Sequence, residues 1–226
     1  VDVRGDLPVS ITVVPADFTG ELAKSGAYEM SIKGDGIAIK AFDQAGAFYA
    51  VQSIFGLVDS QNADSLPQLS IQDAPRFDYR GVMVDVARNF HSKDAILATL
   101  DQMAAYKMNK LHLHLTDDEG WRLEIPGLPE LTEVGANRCF DTQEKSCVLP
   151  QLGSGPTTDN FGSGYFSKTD YVEILKYAKA RNIAAHGAHM ADDFMARHAG
   201  EERAGPFRAH RMQIGMANTT KGDVDF

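Results

Sequence analysis

The chain has 226 residues, 43% of them hydrophobic and 23% charged, and a formal net charge of -9. That composition excludes a disordered chain and supplies length for one large or two small domains. The acidic balance argues against general affinity for nucleic acid or anionic membrane, which need clustered Lys and Arg to meet phosphate, and favours a neutral or polar partner.

No apolar run approaches the length of a membrane span before a charge interrupts it. Residues 1–20 lack the basic start and apolar centre of a signal peptide, but the chain begins at Val1 rather than Met, so this says little about compartment. Short alternating segments come first: SITVVP at 10–15, YEMSIK at 28–33 and IAIKAF at 37–42 are predicted strands, with Gly34-Asp35-Gly36 closing a hairpin between the last two. Asp43 is placed to cap a helix over Ala45 to Leu57, where Phe48, Val51, Ile54 and Phe55 recur at helical spacing. A strand over Gln68 to Ile71 completes a small α+β module, expected over residues 1–75 and without chemistry of its own. Asp73-Ala74-Pro75-Arg76 marks its boundary, because proline disfavours helix at the residue before it and ends a strand's ladder.

Residues 76–226 read differently. Gly81 to Val86 is a predicted strand, and Ser92 caps a helix over Lys93 to Lys107 with Ile96, Leu97, Leu100, Met103 and Ala104 on one face. A second short strand runs from Lys110 to Leu115. Strand, helix, strand with apolar strands marks a parallel sheet or barrel, whose chemistry sits at the C-terminal strand ends. Those ends are Asp85 to Arg88 and Asp117 to Trp121.

At the first end, the Arg88 fork can donate paired hydrogen bonds to neighbouring hydroxyls of a ligand, or it can form a surface ion pair with Asp85 or Asp94. At the second, Asp117 and Asp118 stand beside His112 and His114, which share a strand face and are expected to be buried and hydrogen-bonded rather than metal ligands. Trp121, the one tryptophan, is suited either to stacking on a flat ligand face or to anchoring its loop.

Residues 126–166 are rich in Gly and Pro without a sustained period, which predicts a long loop with a function. Within it Cys139 and Cys147 bracket a polar stretch, leaving open a loop staple or two free thiols. Ser167-Lys168-Thr169-Asp170 has the form of a capping box, and Val172, Leu175 and Ala178 or Lys179 carry the helix on to Arg181, with a further strand expected from about Asn182. In the remaining segment, rich in Ala, His, Arg and Gly, the histidines 186, 189 and 198 with Asp192 and Asp193 are the one candidate metal set. Their spacing aligns poorly on a helical face, so no metal site is expected.

DVARNFH at 85–91 and HLHLTDDEGWRLEIPGLPELTEVGA at 112–136, joined by GYFS at 164–167, closely resemble the barrel opening of glycoside hydrolase family 20, the β-N-acetylhexosaminidases, and within it the bacterial chitobiases. The resemblance runs from the first residues to about Ile183. It implies an α/β protein in which a small α+β domain, residues 1–75, precedes the first units of a (β/α)8 barrel in residues 76–226, with an atypical ending after 183. A complete barrel needs about 200 to 250 residues or more, so the barrel is expected to be incomplete in this chain.

The implied activity is removal of terminal N-acetylglucosamine from chitobiose or short chitin oligosaccharides, with retention, without a cofactor, and by a substrate-assisted route in which the sugar's own acetamido oxygen attacks the anomeric carbon. Arg88 would hold the terminal sugar by its 3- and 4-hydroxyls, and Asp117 or Asp118 would support the site through a hydrogen-bonded histidine. The resemblance also implies a Cys139–Cys147 pair and, with it, a periplasmic or secreted location. Asp118-Glu119 is not the family's catalytic pair, which belongs to a His-x-Gly-Gly-Asp-Glu motif absent from these residues. The chain is therefore expected to have little or no activity alone, and the competing expectation is a catalytically silent carbohydrate-binding or interaction module.

Overall fold

The computed structural model describes residues 2–3, 8–61, 66–150, 155–156 and 162–188. The described residues fall into two compact units, the first drawn from residues 1–81, 98–109 and 178–183 and the second from residues 82–97, 110–177 and 184–188.

In the first unit β1 (Asp2–Val3) pairs antiparallel with β5 (Leu66–Pro67). The main sheet takes β2 (Val9–Val13), β3 (Tyr28–Lys33), β4 (Gly36–Ala41) and β6 (Leu69–Asp73) in the order β2-β4-β3-β6. Residues β3 and β4 form the expected hairpin, Lys33 opposite Gly36, while β2 runs parallel to β4. Period two places Met30, Ile32, Ile37 and Ile39 on the buried face.

That face is covered by α1 (Gln44–Gln61), capped by Asp43, whose Oδ1 accepts the Gly46 N–H at 2.8 Å. Phe48 and Ile54 pack against the core as their spacing implies, joined by the buried Tyr49 and Ala50, while Phe55 is exposed. Gly46 sets the close approach: a Cβ there would collide with the Ala27 carbonyl, so the helix rests its glycine on that backbone, with Tyr49 and Ala50 buried one turn further on. Lys107, at φ 56, ends the neighbouring helix and donates to Asp73 at 2.7 Å and to the Tyr28 hydroxyl at 3.0 Å. The Tyr49 hydroxyl in turn accepts from Arg80 and Asn182.

The strand-helix-strand arrangement follows. Strand β7 (Gly81–Asp85), helix α2 (Lys93–Ala105) and strand β8 (Lys110–His114) succeed one another, and α4 (Lys168–Ala180) leads into β11 (Ala184–Ala188). Their sheet has the order β11-β8-β7, with β11 parallel to β8 and Ala184 opposite Lys110. The third strand begins two residues beyond the expected start. In α4 Ala178 is buried as the spacing implies, Val172 and Leu175 are half-buried, and Ile174 is the further fully buried residue.

The mixed α/β architecture is as the sequence implies: a small sheet domain, then barrel-like strand-helix units. The long segment after β8 carries more order than a loop. It holds the short pair β9 (Thr116–Asp117) and β10 (Gly120–Trp121), the one-turn helix α3 (Glu130–Glu133), isolated bridges from Leu123 to Phe166 and from Arg138 to Val148, and a Cys139–Cys147 disulfide. No described helix is long and apolar enough to cross a membrane.

Candidate functional site

At the end of β7 the chain turns sharply, because Asp85 Oδ1 accepts the N–H groups of Ala87 at 3.0 Å and Arg88 at 3.1 Å. The turn buries Val86 and Ala87 and leaves the Arg88 side chain about one third exposed. Each guanidinium nitrogen faces a different carboxylate: Nη1 donates to Asp85 at 2.8 Å, Nη2 to Asp117 at 2.6 Å, and Nε lies 3.4 Å from Glu119. The Asp85 hydrogen bond raises the Arg88 pKa against the opposing effect of burial, with the charges of Asp117, Asp85 and Glu119 adding to it. A guanidinium has five donors, so each Nη keeps a second N–H for an outside acceptor.

Asp117 reaches the arginine because β9 and β10 fold back as a tight pair, Gly120 opposite Asp117. Its Oδ2 also meets His114 Nε2 at 2.7 Å, and its Oδ1 accepts the Asp118 N–H at 2.9 Å. Burial opposes ionisation of Asp117, but the Asp118 N–H, the His114 ring and the Arg88 charge outweigh it and hold the carboxyl below the usual carboxylate range. Asp118 is exposed. The two acids left open by the sequence are thus separated by geometry, and only Asp117 joins the cluster.

His114 is 1% exposed and bonded, as expected for a strand histidine. His112 departs from that expectation: it is half-buried, and its Nε2 has no partner among the described residues. Burial and the neighbouring His114 lower its pKa. The reason is strand position, since the Asp117 side chain meets the ring at the strand's end and not the one two residues earlier.

Trp121 is half-buried, its indole N–H donates to the Leu123 carbonyl, and its backbone N–H donates to Gly135 at 2.8 Å. These bonds tie the residue into its own loop. Among the described residues no group of three or more His, Cys, Asp or Glu is placed to hold a metal. His186 lies on β11 opposite His112, while His189, Asp192, Asp193 and His198 fall outside the described residues.

Three residues at this site went unread in the sequence. Glu119, 2% exposed, supplies the third carboxylate facing Arg88. Arg122, 0% exposed, donates to the Val86, Ala87, Ala136, Gly162 and Gly164 carbonyls, and Arg138, 4% exposed, donates to Glu119, Ala87 and Arg88 carbonyls. The alternation of Trp121, Arg122, Leu123 offered one signal for Arg122, an arginine on the opposite face from its neighbours. Nothing local marks Arg138, whose acceptors are about 20 to 50 positions away in the chain.

The arrangement can grip a neutral polyhydroxyl ligand with an arginine whose orientation is fixed by acids on three sides. Comparison with known proteins gives the family. Residues 2–74 match the family model for glycosyl hydrolase family 20, domain 2, and residues 77–186 match that for the family 20 catalytic domain. The chain is 98% identical over 183 residues to the N,N'-diacetylchitobiase of Vibrio harveyi, covering 81% of this chain and 21% of that protein. It is 57% identical over 183 residues to a beta-hexosaminidase of Vibrio vulnificus, again with 81% and 21% covered. The chain therefore spans about a fifth of the length of these curated relatives. Among solved structures, it is similar to a GH20 exo beta-N-acetylglucosaminidase from Vibrio harveyi in complex with N-acetylglucosamine, with a TM-score of 0.68, 32% identity, and coverage of 79% of this chain and 26% of that one. A Streptomyces plicatus N-acetyl-beta-hexosaminidase follows at 0.62 and 29%, covering 79% and 33%.

Proposed function

Since the chain belongs to glycoside hydrolase family 20, we propose that it is the sugar-gripping part of a β-N-acetylhexosaminidase that releases terminal N-acetylglucosamine from chitobiose or chitooligosaccharides. One observation carries the reading: the Arg88 nitrogens are oriented by Asp85, Asp117 and Glu119, with two N–H groups left over for adjacent hydroxyls. Arg88 binds the terminal sugar, and Asp117 supports the site by holding Arg88 on one side and His114 on the other. Asp118 and Trp121 take lesser parts, the first through its backbone N–H on Asp117 and the second as an anchor of the loop.

Bond cleavage needs further residues. The 226 residues contain no Gly-Gly-Asp-Glu run, which supports a chain that binds sugar without turning it over, whether as part of a longer enzyme or as a catalytically silent binding module. Calorimetric titration of the chain with N-acetylglucosamine is the test. Binding that is lost in Arg88→Ala is expected, and binding indifferent to that change removes Arg88 from the role. The Cys139–Cys147 disulfide supports a periplasmic or secreted setting. Cells lysed in the presence of a thiol-blocking reagent should yield a chain with no labelled cysteine, and two labels would contradict that setting.

A further inference from the structure

Two arginines outside the proposed sugar contact hold the backbone that presents Arg88. The Arg122 guanidinium is filled by main-chain carbonyls: Nε donates to Val86 at 3.0 Å, Nη2 to Ala87 at 2.8 Å and Gly162 at 2.9 Å, and Nη1 to Ala136 at 2.9 Å and Gly164 at 3.0 Å. Arg138 donates through Nη2 to Ala87 at 2.9 Å and to the Arg88 carbonyl itself, and through Nε to Glu119 at 3.2 Å. Three consecutive carbonyls, of Val86, Ala87 and Arg88, are therefore held by two cations, and that of Ala87 by both. Arg138 also fixes the backbone of Glu119, whose side chain faces Arg88.

Two like charges in one buried place oppose each other, and burial together with the Arg138 charge lowers Arg122 to about 10. Neutral donors could satisfy the same carbonyls without that repulsion. A rigid fork does what they cannot: it fixes several acceptors in one plane at defined angles. Gly120 makes room for it, since a Cβ there would lie 2.5 Å from the Arg122 guanidinium carbon.

Resting on the reading that Arg88 grips the sugar, we propose that Arg122 and Arg138 are positioning residues, which clamp the Val86 to Arg88 backbone by its carbonyls and so hold the Arg88 fork at one height and angle toward the ligand's hydroxyls. Neither touches the ligand. Both act through Arg88.

The experiment uses the whole 226-residue chain labelled with nitrogen-15 and has two arms. Without sugar, hydrogen exchange at the Arg88 Nε–H should quicken about tenfold in Arg138→Lys while the Leu111 and Leu113 amides keep their protection. Unchanged exchange at Arg88, or equal acceleration at all three sites, overturns the clamp, the latter because it marks a general support of the fold. Arg138→Gln, which still reaches a carbonyl, is read by the same criteria should the lysine variant not fold. With N-acetylglucosamine, Arg138→Lys should weaken binding about tenfold in the parent and less than about twofold in an Arg88→Lys background, because a misplaced fork costs affinity only where there is a fork. Equal weakening in both backgrounds overturns the clamp. Should Arg88→Lys leave sugar affinity unaltered, the reading of Arg88 fails instead, and the sugar-free arm alone decides the clamp.

Discussion

Asp117 Oδ2 serves two donors at once, Arg88 Nη2 at 2.6 Å and His114 Nε2 at 2.7 Å, and this sharing explains why one acid of the Asp117-Asp118 pair joins the cluster and the other does not. Its folded pKa lies below the ordinary carboxylate value, so the stability it contributes is present above the unfolded pKa and is lost as pH falls through the folded one. Asp117→Asn should therefore destabilise the chain by about 1–3 kcal/mol at pH 7, the range for hydrogen bonds to charged groups, and by progressively less as the pH falls into the acid range. Urea midpoints of parent and variant across that interval check it: the two curves should converge in acid, and a constant gap would contradict the assignment. At this scale the sequence named Arg88 and the acid pair correctly as neighbours of a strand end, yet not which acid. The choice depends on the β9 and β10 turn, which swings one carboxylate inward and its neighbour out to solvent.

Among the elements, α4 shows local chemistry read directly from sequence. Ser167 Oγ accepts the Asp170 N–H at 3.0 Å while Asp170 Oδ2 accepts the Ser167 N–H at 3.2 Å, so the box closes reciprocally with Asp in place of Glu. Lys93 adds an ion pair at 2.7 Å, and its hydrogen bond with the Ser167 hydroxyl's holds Asp170 at about 2. Ser167→Ala should cost about 1 kcal/mol, measured by thermal or urea unfolding, with α4 amides losing protection first. The disulfide acts on the segment between β10 and α4. Closing a short loop restricts the unfolded chain, and reduction should lower stability by about 2–3 kcal/mol, visible as a lower unfolding midpoint in reductant that Cys139→Ser with Cys147→Ser reproduces. For Arg122, truncation to Met would take from the Val86, Gly162 and Gly164 carbonyls the donor they have among the described residues, the Ala136 carbonyl keeping the Gly164 N–H; a loss above about 3 kcal/mol is expected in the same assay. The inward faces of α1 and α4 belong here too. Periodicity identified both helices and part of each inward face, Phe48 and Ile54 in one and Ala178 in the other, but the deepest burial, at Tyr49 and Ala50, lies one turn beyond Gly46, where the helix meets the Ala27 backbone.

For the molecule as a whole, the proposed sugar contacts lie at the ends of β7 and β8, while no Gly-Gly-Asp-Glu run occurs in the chain. Purified chain should leave a nitrophenyl N-acetylglucosaminide unhydrolysed above the buffer rate, and clear turnover would refute the proposed division between gripping and cleaving residues. By itself the sequence determined the order and type of the longer strands and helices, the hairpin, the caps and the family, because these rest on local periodicity, on residues with special backbone behaviour, and on motifs that survive as strings. Only the tertiary structure decided what depends on distant segments meeting: the parallel placing of β2 beside β4, the choice of Asp117, the carboxylate of Glu119 beside Arg88, and the Arg122 and Arg138 clamp. Carbonyl acceptors exist at every residue and leave no mark in sequence, so an arginine that binds them can be recognised only once the fold has brought its acceptors together.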